Sequence, residues 1–156
     1  MRFMSTAIKD KALGIFWNED KILVSEYHNP ITNEPFYRPP GGRIDYGEPS
    51  SAALIREMDE ELSAEITNLN FLGVIENIYE YKDKLSHENL FLYQADFTES
   101  KMYDTDDLEA FEYTDDRKFV MKWIHIDEFL SDRAKLLPEE LKSVLQKEIL
   151  TVSASI

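Results

Sequence analysis

The chain contains no cysteine, which excludes disulfides, thiolate-bound zinc and thiol nucleophiles and fits a reducing compartment; the cytoplasm is the expected location. Glycine and proline are scarce, 5 and 6 in 156 residues, and no stretch rich in them divides the chain. One domain over residues 1–156 is therefore expected, long enough to bury a core. No apolar run approaches the roughly 18 residues of a membrane span, and the opening MRFMSTAIKDKALGIFW lacks the basic-then-apolar order of an export signal. Positive charge is also short: 17 Lys and Arg face 31 Asp and Glu, for a net charge of −14. Such a field repels nucleic-acid backbones and anionic lipid, so extended binding to either is disfavoured. A small phosphorylated ligand would be admitted only with a divalent cation between it and the carboxylates.

What the chain does contain is a series of β-rich runs. Lys11 to Trp17 and Lys21 to Tyr27, separated by Asn18, Glu19 and Asp20, read as a hairpin. Phe36 to Arg38 is extended before the rigid Pro39-Pro40 and the permissive Gly41-Gly42. Further strands are expected at Leu69 to Asn77, Asn89 to Phe97 and Phe119 to Ile126, with a surface loop and a short helical turn over the acidic Glu99 to Asp116. Pro49 suits the start of a helix running to about Ser63, with Ile55, Met58 and Leu62 on its packed face. Pro138 starts a second amphipathic helix, striped by Leu141, Val144, Leu145 and Ile149. Strands interrupted by two helices indicate an α/β or α+β sandwich around a mixed sheet.

The first helix is electrostatically odd. Glu57, Asp59, Glu60 and Glu61 crowd its C-terminal end, where the helix dipole disfavours acids and where like charges three and four residues apart repel. An acidic run by itself is a solvated face. Here, however, the double glycine allows a backbone carbonyl to approach a hard cation, and Arg56 is the helix's one base. Glu57, Glu60 and Glu61 can converge as oxygen-only ligands, a set suited to magnesium or manganese.

The stretch Gly42 to Ala64 resembles the Nudix box, G-x5-E-x7-R-E-U-x-E-E-x-G-U with U aliphatic, through Gly42, Glu48, Arg56, Glu57, Met58, Glu60 and Glu61. Two positions depart from it: Ser63 stands where the box has glycine, and Ala64 where it has a larger aliphatic. The resemblance extends loosely to Tyr37-Arg38-Pro39-Pro40-Gly41, to HENLFLYQADF from His87 and to WIHIDEF from Trp123. It implies a Nudix-type α-β-α sandwich around a mixed β-sheet and a MutT-like hydrolase. Such an enzyme cleaves a pyrophosphate bond in a nucleoside diphosphate linked to another moiety, most simply a nucleoside triphosphate. ADP-ribose, diadenosine polyphosphates and nucleotide sugars are alternative substrates, and a catalytically silent nucleotide-binding module is a further reading.

The same resemblance implies Mg2+ or Mn2+ held by Glu57, Glu60, Glu61 and the Gly41 carbonyl. Glu57 or a neighbouring carboxylate would be the general base, Arg56 would orient it, and Glu48 would pair with Arg56. Outside the box, Glu88, Glu112, Asp115 and Asp116 are candidates for an additional acid at the site, and Tyr79 and Tyr81, placed after a strand, could stack on a base. Tyr81 and Glu88 are the candidate substrate-binding residues. His28, His87 and His125 have no metal-ligand spacing. The expected partner is a small nucleotide, and a homodimer is compatible with the sequence.

Overall fold

The computed structural model describes residues 7–113 and 116–154, with the side chains of residues 81 and 151–154 excepted. Its strands are β1 (Lys9–Asn18), β2 (Lys21–His28), β3 (Pro35–Arg38), β4 (Gly41–Arg43), β5 (Ile66–Tyr81), β6 (Lys84–Phe97), β7 (Asp107–Glu112) and β8 (Arg117–His125). Its helices are α1 (Ser50–Leu62), α2 (Ile126–Leu130) and α3 (Leu141–Ala154). The main path of the mixed sheet runs β5-β6-β1-β2-β8-β7, with β3 on β2 and β4 on β1; β1 and β6 are parallel, and the other pairs are antiparallel.

The apolar runs in β1 and β2 are continuous because both faces of the sheet are covered. Ala12, Phe16 and Leu23 join Leu54 and Met58 of α1 in one core cluster. Leu13, Ile15, Ile22 and Val24 point the other way, into a cluster with Phe129, Leu141 and Leu145 of α2 and α3. Period-2 alternation thus splits one run between two helical layers.

The expected hairpin pairs only at its tip, through Trp17↔Ile22 and Asn18↔Lys21. Beyond it the strands diverge: β1 turns to β4, and β2 to β3. The Pro39-Pro40 link lacks N–H donors and crosses the fork, where the Pro40 carbonyl accepts from Gly14 N at 2.9 Å. This geometry delivers Gly41 and Gly42 to the mouth of the fork, beside α1.

Several sequence expectations are corrected. The packed face of α1 is Ala53, Leu54, Met58 and Glu61, whereas Ile55 is 46% exposed. The packed face is offset by one residue from the apolar pattern because Glu61, an acid, occupies an inward position. Glu99–Asp116 is not simply a loop: after a 3-10 turn at Ser100–Tyr103, β7 pairs with β8. Leu108 and Ala110 alternate inward there, while the outward acids hide the strand signal. Tyr79 and Tyr81 lie within β5 rather than beyond it, because the hairpin closes farther along, at Lys82-Asp83 with φ 53° and 59°. Such consecutive left-handed residues match the strand twist in a two-residue turn. The last helix starts at Leu141, after a turn in which Leu141 N donates to the Pro138 carbonyl.

Ser63 ends α1 with φ 52°, its N–H donating to the Asp59 carbonyl and that of Ala64 to the Met58 carbonyl. It adopts the left-handed conformation that glycine would adopt without a Cβ penalty. Ser63→Gly is expected to raise stability by about 1 kcal/mol without changing the denaturant m-value, as a urea melt would show.

Candidate active site

Arg56 is the hub. Its Nε and Nη2 donate to the two oxygens of Glu48 at 2.8 and 3.0 Å, a bidentate pair across the loop before α1. Nη2 also donates to the Arg43 carbonyl at 2.9 Å, while Nη1 donates to Glu57 at 2.9 Å and to Glu60 at 3.3 Å. One planar guanidinium therefore fixes the loop, the β4 backbone and two carboxylates of the helix. Glu48, which also accepts from Asp45 N, is held down at about 2 by the Arg56 hydrogen bond and then by that backbone donor.

The glycines answer to two different constraints. Gly41 has φ 147°, and a Cβ there would lie 1.9 Å from the Ala12 carbonyl oxygen. The β1–β4 pairing thus requires glycine. At Gly42 the space is taken by Glu57, whose Cδ would lie 2.4 Å from a Cβ. The carboxylate rests against the glycine backbone. Gly42→Ala should move Glu57, a flexible side chain, and leave the strand pairing intact. A loss of turnover of at least about tenfold with a melting temperature close to wild type is expected, since small displacements of positioned groups are costly.

Glu57 and Glu61 are 15% and 9% exposed. Burial raises the Glu57 carboxyl despite Arg56, and Glu60 and Glu112 add to the rise. Glu61 is pushed up to about 8, first by burial and then by the charges of Glu57, Glu112 and Glu60. Its inward place on α1, beside Leu54 and Met58, explains the difference from Glu57. Among the described residues no three acidic or histidine side chains stand together as a preformed metal cage. Glu57 and Glu60 are instead both drawn to Arg56. The donor set is nevertheless entirely oxygen, its negative charge exceeds what Arg56 compensates, and Glu61 is forced toward neutrality. A hard divalent cation fits such a set.

A cavity of about 810 Å3 opens over this cluster. Glu112 of β7, a candidate from the sequence, lines it, and so do Lys9, Lys11, Arg38, Arg43 and Arg117. These bases were missed in the sequence. Residue type alone does not distinguish them, because the topology brings them together from β1, β3, β4 and β8. Glu88 lies apart from the helix cluster. Only 2% exposed, it receives Arg38 Nη2 at 2.5 Å, Lys11 Nζ at 3.0 Å and Asn77 Nδ2 at 3.1 Å, so its carboxylate grips cations. Tyr79 lines a neighbouring cavity. The side chain of Tyr81, and Asp115 altogether, fall outside the described residues; Asp116 is exposed. Among the described residues no helix is long and apolar enough to cross a membrane.

Solved structures share this architecture. The E. coli ORF135 protein in solution is 20% identical with a TM-score of 0.64, over 96% of this chain and 94% of that one. A MutT NUDIX hydrolase from Burkholderia pseudomallei is 21% identical with a TM-score of 0.57, over 78% and 85%. The C. elegans Ap4A hydrolase is 19% identical with a TM-score of 0.54, over 94% and 99%. At these identities the likeness is one of fold. No curated protein matches the chain. The family model of the NUDIX domain matches residues 9–147, the span that holds the box, the fork and the cavity over α1, and the chain belongs to the Nudix hydrolase family.

Proposed function

We propose that the protein hydrolyses a pyrophosphate bond in a nucleoside diphosphate linked to another moiety, with magnesium or manganese as cofactor. The observation that carries the reading is the acidic cluster at the end of α1, in which buried Glu61 and half-buried Glu57 face excess negative charge that Arg56 alone does not offset. Glu57, Glu60, Glu61 and the Gly41 carbonyl would hold the cation, which when bound neutralises charge on phosphate oxygens and lowers the pKa of water.

The protein's own part is positioning. Glu57 is the general base, taking a proton from the attacking water on its carboxylate. Arg56, anchored by Glu48, fixes the direction of that carboxylate. The bases across the cavity hold the phosphates in line, and displacement at phosphorus requires no nucleophilic side chain. The smallest substrate of this class is a nucleoside triphosphate, for which a cavity of about 810 Å3 leaves room. The test is turnover of nucleoside triphosphates, ADP-ribose, dinucleoside polyphosphates and nucleotide sugars with excess magnesium or manganese, read by product separation. Metal-dependent cleavage of at least one is expected, and cleavage of none overturns the reading.

A further inference from the structure

Next to the cavity over α1 lies a second one of about 590 Å3, and the walls of the two share Lys11, Tyr27 and Arg38. These residues therefore form a saddle between two chambers. Lys11 comes from β1, Arg38 ends β3, and both reach the same carboxylate, Glu88 of β6. The parallel β1–β6 register, with Lys9 opposite Glu88, puts that acid beside Lys11.

Two cations on one carboxylate leave a positive excess in a chain whose net charge is −14. The cations are 23% and 17% exposed and the acid 2%, so the charged heads border the chambers while their anchor is buried. Burial alone would raise the Glu88 carboxyl; Arg38 and Lys11 outweigh it and hold it below the usual range. As a stabilising device a buried ion pair is poor. As a fixed, partly desolvated anion site it is effective.

The chamber beyond the saddle differs from the one over α1. Tyr27 and Phe36 stack there, with ring centroids 5.5 Å apart and an interplanar angle of 18°, and Leu137 and Pro138 contribute further apolar wall. A planar group is what such a wall accepts. We propose that the substrate carries a bulky group at each end of its phosphate chain. The chain crosses Lys11 and Arg38, one end sits over α1, and a second aromatic group rests against Tyr27 and Phe36. The inference rests on the hydrolase reading and narrows its substrate to the dinucleoside polyphosphate class; Glu88 is a positioning residue that acts through the two cations.

The experiment compares kcat/KM for a dinucleoside tetraphosphate and a nucleoside triphosphate in excess magnesium. The proteins are wild type, Phe36→Ala, Glu80→Trp and Glu88→Gln. Glu80 is an exposed β5 residue on the wall of the second chamber, so tryptophan there fills the chamber without disturbing the core. Wild type should favour the dinucleotide by about tenfold or more, and Phe36→Ala and Glu80→Trp should each lower that ratio by about tenfold through KM. Glu88→Gln should raise KM for both substrates by about tenfold with kcat nearly unchanged, and Glu88→Asp should recover part of it. Equal kcat/KM for the two substrates in wild type, turnover of the triphosphate alone, or a ratio unmoved by both chamber variants overturns the inference and leaves the hydrolase reading intact. Turnover of neither substrate overturns the hydrolase reading, and this inference with it.

Discussion

Glu57→Gln is expected to lower kcat by about 10²–10⁴-fold, the usual contribution of a positioned general base. The amide has nearly the volume of the acid, so the contact with Gly42 survives. What is lost is the charge drawn to Arg56 at 2.9 Å and the capacity to take a proton. Stability should change little, because Arg56 keeps its bidentate pair with Glu48. Steady-state kinetics beside a thermal melt would separate these effects. A loss below tenfold with unchanged metal dependence would move the base to another carboxylate. Retained ligand affinity without any wild-type turnover would instead indicate a binding module.

The second large effect concerns pH and Glu61. Its carboxyl stands at about 8 in the fold against an ordinary 4.5. Between those values the folded chain binds a proton that the unfolded chain has released. The contribution of Glu61 to stability is therefore fully present below about pH 4.5, declines as pH rises, and is lost above about pH 8. Glu88 acts in the opposite sense. Held below its ordinary value by Arg38 and Lys11 against the effect of burial, it stabilises above about pH 4.5 and loses that contribution as pH falls through its folded value. Metal-free protein should thus be most stable in mildly acidic solution. Glu61→Gln should flatten the decline toward pH 8 and stabilise the metal-free fold there relative to wild type, because the amide has no proton to lose. Urea titrations from pH 5 to 9 in the presence of a chelator provide the check; an unchanged decline in the variant would place its cause elsewhere.

The sequence made some of this plain and concealed the rest for identifiable reasons. The continuous apolar runs of β1 and β2 announced buried strands, and the spacing of Gly42, Glu48, Arg56 and Glu57 carried the family resemblance. The misread face of α1 and the overlooked β7 share one cause. In both, acids obscure the pattern: Glu61 turns inward where periodicity reserves an apolar place, whereas Asp107 and Glu109 fill the outer face of a half-buried strand and mask its short alternation. The fork between β1 and β2 was invisible because it depends on which partner each strand takes after the hairpin tip. For the same reason the Lys11–Arg38–Glu88 group could not be foreseen. Its members lie on three strands, Arg38 and Glu88 being 50 positions apart in sequence, and they meet only when the parallel β1–β6 pair forms.

Titration calorimetry of magnesium and manganese into the wild-type protein at pH 8, beside Glu61→Gln, tests whether the carboxylates at the end of α1 hold a divalent cation. Saturable binding to wild type, much weakened in the variant, is the expected result. A matching rise in wild-type stability should follow, about 2.7 kcal/mol when free metal is 100 times its Kd. Heats of dilution alone in the wild type, or equal binding to both proteins, would contradict it.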